Sequence, residues 1–170
     1  DKDLRNKAKT INFGKPYGMG PPKLADTLGI TLKESEQLFK EYAQAFPKLN
    51  NWLEMAGKFA ISQGYSLTFA PCKRRRWYPD VNGGNSPIQG TGADITKEAL
   101  VGVRNLIRTF NQVYKQPVAY LVCTVHDAID VEVREDLAPL FAENMAKVMI
   151  DCGNKYVSKV KMEVDTTITD

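Results

Sequence analysis

The chain has 170 residues, 43% of them hydrophobic and 25% charged, with a formal net charge of +3. This is the composition of a soluble globular protein, long enough for one sizeable core or for two lobes that share an interface. No apolar run is long enough to span a membrane and no signal peptide is visible, while Cys72, Cys123 and Cys152 follow no metal spacing and point to reduced thiols in a cytosolic or similar compartment.

The net charge alone does not argue for nucleic acid, but its clustering says more. Arg5, Lys7 and Lys9 crowd the first segment, and Lys73, Arg74, Arg75 and Arg76 are consecutive. The chain opens on charged residues already inside a helical pattern, so it reads as part of a longer polypeptide.

Arg5, Lys9 and Phe13 lie four apart. On a helix at about 100° per residue they share a stripe only about 80° wide, so two fixed cations and a ring occupy one face. Cations one turn apart repel unless solvent or an anion lies between them. A polyphosphate has a suitable length: arginine forks onto oxygens, lysine acts as a point charge, and a ring one turn further stacks on base or sugar. A solvated basic face is the competing explanation. Against it, the helix runs directly into Phe13, Gly14, Tyr17 and Gly18, where glycines let backbone and rings approach a planar ligand.

These residues fill every fixed position of R-x-x-x-K-x-x-x-F-G-x-x-Y-G. In that respect the sequence resembles the family A DNA polymerases, the group of bacterial DNA polymerase I, whose fingers helix carries this motif. The resemblance implies that Arg5 and Lys9 bind the triphosphate of an incoming dNTP and that Lys9 also protonates the leaving pyrophosphate. It implies that Phe13 packs on the nucleotide, that Tyr17 guards the templating site, and that Phe13, in place of a tyrosine, discriminates against dideoxynucleotides.

Downstream, a proline break precedes a short helix around Lys23 to Leu28 that Gly29 stops. Thr31 and Glu34 form a capping box before a helix with Leu32, Ser35, Phe39, Tyr42 and Phe46 at helical spacing. Pro47 interrupts it, and a second helix with Leu49, Trp52, Leu53, Ala56 and Ala60 on one side runs to about Gln63; these aromatics read as core. Gly64 starts an extended pair, YSLTF and PCKRRRWYP. Arg74, Arg75, Arg76, Pro79 and Asp80 match a similar hairpin of the family, while Lys73 stands at its usual glycine. Arg74 and Arg75 are thereby expected on the DNA backbone, or else they form a basic edge strand that discourages aggregation.

VNGGN is a short flexible link, after which Ser86 is expected to cap a long helix with Pro87 at its first position. Ile88, Ile95, Ala99, Val103, Leu106 and Phe110 form its buried stripe, with Lys97, Arg104 and Arg108 facing elsewhere. Asn85, Pro87, Gln89, Gly90 and Asp94 resemble the family's N-x-P-x-Q-G-x-x-A-D segment, which implies that Asn85 and Gln89 approach the primer-template. Ser86 and Gln89 also have capping-box spacing, so Gln89 keeps two readings. Val81 to Gly84 stand where many members have an Arg-rich stretch.

AYLVCTV at residues 119–125 is a near-continuous apolar run and IDVEV at 129–133 alternates, which predicts two strands joined tightly at His126, Asp127 and Ala128. A carboxylate at the tip of a buried hairpin is exposed enough to ionise and is rigidly held. Phosphoryl transfer to a 3′-hydroxyl nucleophile needs such an acid for a hard divalent cation; a turn aspartate bonding its own backbone is the alternative. VHDAIDVEV resembles the family's motif C, V-H-D-E-x-x-x-E, with His126, Asp127 and Glu132 in place and Ala128 at the second acid. The resemblance implies that Asp127 is a ligand of two Mg2+ ions and that His126 lies at the DNA. Asp130 is a substitute acid in sequence, although alternation aims it to the face opposite Asp127. A helix from about Asp136 to Asn154 and a strand VKMEVDTTI complete an α/β layer.

The expectation is therefore an α/β (α+β) chain: a helical fingers segment, residues 1–63, packed with a palm portion, residues 64–170, that holds an antiparallel sheet and the motif C hairpin. The expected function is part of a DNA-directed DNA polymerase adding dNTPs to a primer 3′-end on primer-template DNA by two-metal chemistry. One aspartate cannot clamp two metals, and the family's motif A, D-Y-S-x-I-E, does not occur here, so an N-terminal segment or subunit with motif A and thumb is the expected partner. A noncatalytic primer-template-binding module, favoured by Ala128, and a single-subunit RNA polymerase portion, disfavoured by F-G-x-x-Y-G, are the alternatives. A bacterial cytoplasm, a phage-infected cell or an organelle suits this chemistry.

Overall fold

The computed structural model describes the backbone of residues 2–77 and 84–169, with side chains from residue 4 onward. Pro79, Asp80 and residues 81–83 of the link lie outside the described residues. In order the elements are α1 (Lys2–Gly14), α2 (Pro21–Leu28), α3 (Leu32–Ala45), α4 (Pro47–Gln63), β1 (Tyr65–Leu67), β2 (Arg75–Trp77), α5 (Ser86–Val113), β3 (Ala119–Val125), β4 (Ala128–Val133), a 3-10 turn (Glu135–Leu137) and α6 (Ala138–Asn154). Helices and two antiparallel hairpins give the expected mixed class. No helix among the described residues is long and apolar enough to cross a membrane.

Local chemistry sets the helix ends. Pro21 and Pro22 open α2, where a missing N–H costs nothing, and Gly29 closes it at φ 64°. The Thr31 Oγ1 accepts the Glu34 N–H at 3.2 Å while the Thr31 N–H donates to Glu34 Oε2 at 2.8 Å, which completes the expected capping box on α3. Phe46, preceding Pro47, leaves helical geometry at φ −126° and ψ 59°, and Pro47 then opens α4.

The chain divides into two compact units, residues 1–68 with 74–89 and residues 69–73 with 90–170. In the first, Leu24 and Ser35 are fully buried, and the Ser35 Oγ donates to the Pro21 carbonyl at 2.7 Å, tying α3 to α2. Tyr42, Leu53 and Ala60 are buried on the predicted sides of α3 and α4, while Leu32 and Phe46 are half exposed. β1 and β2 pair as Tyr65↔Trp77, Ser66↔Arg76 and Leu67↔Arg75. At the link end they are shorter than the extended stretches the sequence suggested, since Pro71 has no N–H for a ladder.

In the second unit α5, β3–β4 and α6 enclose a core of Ala99, Val103, Ile107, Phe110, Val118, Ala119, Ile129, Leu137, Phe141 and Cys152. The Phe110 and Phe141 rings meet edge-on at 5.0 Å. The Asn111 Oδ1 accepts the N–H groups of Val118 (2.7 Å) and Ala119 (3.0 Å), and its Nδ2 donates to the Ala119 carbonyl at 3.1 Å. One side chain thus stitches the end of α5 to the start of β3. At the other end of α6, Tyr156 Oη donates to Glu98 on α5, and desolvation together with that carboxylate pushes the phenol up to about 12.

Three expectations are corrected. The Asn85 carbonyl accepts the Gln89 N–H at 3.0 Å, so Asn85 rather than Ser86 is the N-cap of α5. The hairpin is only partly buried: β3 is exposed from Tyr120 to Val125, because the core reaches its first residue and, on β4, Ile129 with the partly buried Val131 and Val133. VKMEVDTTI is not a strand, since no described segment pairs with it and an extended chain needs a ladder partner.

Two glycines in helices predict opposite responses. A Cβ at Gly102 would lie 2.5 Å from Val148 Cγ1, whereas one at Gly57 meets nothing within 4 Å. We expect Gly102→Ala to destabilise by about 1–3 kcal/mol and Gly57→Ala to stabilise by about 0.5–1 kcal/mol. Circular dichroism melting curves check both signs.

Candidate functional site

In the first unit Arg5, Lys9 and Phe13 lie on one face of α1, all exposed, with Phe13 at 61% and Tyr17, in the turn that follows, at 57%. An aromatic ring this open at the end of a basic stripe is free to meet a ligand. The turn is closely specified. Gly18 stands at φ 80°, and a Cβ at Gly14 would lie 2.5 Å from Met19 Sδ, so Met19 packs directly over Gly14. The Met19 N–H donates to the Gly14 carbonyl at 2.9 Å. Lys15 turns the other way, its Nζ 4.8 Å from the Tyr42 ring centre and 5.3 Å from that of Phe39. Burial pushes its ammonium below the ordinary lysine pKa, against the pull of Glu54. Nothing in the sequence motif marks Lys15; its ring partners are more than twenty residues away.

The start of α5 comes to this turn. A Cβ on Gly84 would sit 3.5 Å from the Pro16 carbonyl oxygen, so the residue before Asn85 passes beside the residue before Tyr17. Asn85 is buried and Gln89 is exposed one turn on. The Ser86 Oγ is buried without a hydrogen-bond partner among the described residues, so the Ser86–Gln89 capping box is not formed. On the hairpin, Arg74 is half buried, its N–H donating to Thr68 Oγ1 at 2.8 Å, and Arg75 is exposed with its guanidinium 5.0 Å over the Tyr65 ring.

The second unit carries His126 and Asp127, the two residues between the paired Val125 and Ala128. His126 adopts φ 56°, a left-handed conformation that costs a non-glycine residue about 1–2 kcal/mol. Such strain collects at functional turns, and here it presents Asp127 to solvent at the hairpin tip. The neighbouring acids lie on β4. Asp130 accepts the Cys123 thiol at 3.0 Å, which pushes that thiol above its usual pKa, and Glu132 is paired across from Tyr120. Among the described residues no group of three or more His, Cys, Asp or Glu could hold a metal ion. Asp127 by itself suits one position on a hard cation that keeps water and phosphate oxygens as its other ligands.

Comparison with known proteins gives a consistent answer. Residues 1–170 match DNA polymerase family A. The chain is 33% identical over 181 residues to the thermostable DNA polymerase I of Thermus filiformis, covering 99% of this chain and 20% of that protein. It is 33% identical over 160 residues to DNA polymerase I of Pseudomonas aeruginosa, covering 86% of this chain and 17% of that one. The chain thus spans about a fifth of the length of these relatives. Among solved structures, the POL domain of Pol1 from M. smegmatis, in complex with DNA primer-template and dNTP, superposes with a TM-score of 0.74 at 25% identity, over 89% of this chain and 28% of that one.

The positive φ at Gly18 yields a direct test of the turn. Gly18→Ala should cost about 1–2 kcal/mol, seen as a lower melting temperature.

Proposed function

Because the chain belongs to DNA polymerase family A, we propose that it forms the fingers (residues 1–63) and palm (residues 64–170) portions of a DNA-directed DNA polymerase, extending a primer 3′-end with dNTPs. The observation that carries this reading is the exposed stripe of Arg5, Lys9 and Phe13 ending at Tyr17. Arg5 forks onto the triphosphate and Lys9 neutralises it, holding at Nζ the proton that the leaving pyrophosphate takes. Phe13 packs on the nucleotide and Tyr17 occupies the templating position until the template base arrives. Arg74, Arg75, Gln89 and His126 meet the primer-template, and Asn85, expected there from the sequence, is instead buried at the N-cap of α5, where it sets the helix start that presents Gln89. Asp127 is one ligand of the Mg2+ pair, which when bound neutralises charge on the transferring phosphoryl group and on the attacking and leaving oxygens. With Ala128 beside it, the remaining acid comes from an upstream segment or subunit with motif A and thumb. The setting is a bacterial cytoplasm or a phage-infected cell.

Ala128 favours a second reading, a primer-template-binding module without turnover. Primer extension with Mg2+ by this chain in complex with the upstream part of a polymerase I relative separates the two. The polymerase reading expects extension that Asp127→Ala lowers by on the order of 10³-fold with primer-template affinity unchanged. A folded wild-type complex that binds primer-template and extends nothing supports the module instead. In the same assay Phe13→Tyr should increase termination by dideoxynucleotides, and no increase counts against the placement of Phe13 on the nucleotide.

A further inference from the structure

The hairpin that bears the basic run also bears a ring array to which the proposed function assigns no role. Tyr65 and Trp77 are directly paired across β1 and β2, so their side chains leave the same face of the ribbon. Their rings lie 5.0 Å apart at 60°, and Phe59 of α4 meets Tyr65 edge-on at 5.6 Å. Arg75, two residues before Trp77, shares that face and stacks its guanidinium over Tyr65. The indole is held by this array yet remains 65% exposed.

An aromatic face that is both fixed and open suits a flat partner, since little side-chain entropy remains to be lost when a ring lands on it. Charge identifies the partner. Arg75 lies on the Trp77 face, with Arg74 and Arg76 on the alternate face of the same ribbon, so a partner that brings anions as well as rings fits this surface. An apolar protein helix brings no anions. A single nucleic-acid strand brings a base for the indole and phosphates for the guanidiniums.

We propose that Trp77, backed by Tyr65 and flanked by Arg75, is a stacking site for a nucleobase of single-stranded DNA. Its choice of DNA rests on the polymerase reading; the geometry asks only for a base with phosphates beside it. The site reads no sequence, since every base has a π-face to offer.

Fluorescence anisotropy of labelled oligothymidylate, and of an abasic strand with the same number of phosphates, tests it on the whole chain. Wild type should bind oligothymidylate more tightly than the abasic strand. Trp77→Ala should weaken the former by about 5- to 150-fold and leave the latter unchanged, while Trp77→Phe keeps most of the affinity. Trp77→Leu, which retains apolar packing without a π-face, should behave as the alanine variant and decides the matter if that variant is unfolded. Equal affinity of wild type and a folded Trp77 variant, or equal losses on both strands, overturns the site. If wild type ignores both strands yet extends primers in complex, the stacking site fails alone. If binding depends on Trp77 but no extension occurs, the site stands and the polymerase reading falls.

Discussion

The Lys15 ammonium lies against the rings of Phe39 and Tyr42, and that contact, with Met19 passing over Gly14, holds the end of α1 to α3. A thirteen-residue helix is marginal in water on its own, and this one leaves Arg5 and Lys9 exposed. Its order therefore has to come from tertiary anchors, which include the half-buried Lys7, Thr10 and Ile11 of the helix and the turn at residues 14–19. The consequence for chemistry is preorganisation. Arg5, Lys9, Phe13 and Tyr17 stay open to solvent while the turn after them is held from beneath, which on the proposed reading lowers the freedom lost when an anion or a base binds.

The second unit solves a different problem. It carries a hairpin whose strand β3 is exposed over most of its length. The Asn111 clamp fixes the beginning of β3, Phe110 and Phe141 fill the core beneath it, and Arg134 closes the end of β4 through Asp136 and the Tyr114 ring. Between these fixed ends the strained His126 turn presents Asp127. On the proposed reading the exposed acid of this hairpin is the residue offered to the metal.

Much of this could be read from the residues, and the failures have physical causes. α4 ends at Gln63 and β3 covers Ala119–Val125, as the glycine stop and the apolar run predicted. The Thr31–Glu34 box forms because all of its partners lie within one turn. The Ser86 cap was misplaced by one residue: serine before proline is a good cap, but Asn85 is equally competent and takes the position. Burial of β3 was inferred from an apolar pattern that records what a strand tolerates rather than what covers it. The Lys15 cradle, the Asn111 clamp and the Tyr65–Trp77 pair were illegible, since each joins residues that only the tertiary fold brings into contact. The candidate residues themselves came from motif spacing, which reports which side chains share a face but not which are left open.

The central claim is that the α1 stripe is a polyphosphate site, and equilibrium binding of a dNTP tests it most directly. Isothermal titration of the chain with dTTP and with thymidine, for wild type, Arg5→Ala and Lys9→Ala, separates triphosphate recognition from base contact. The account predicts that each substitution weakens dTTP by about 10- to 100-fold, that thymidine is unaffected, and that added salt narrows the difference. Undiminished dTTP affinity in both variants, with the fold intact, would contradict it and reduce the stripe to a solvated basic face.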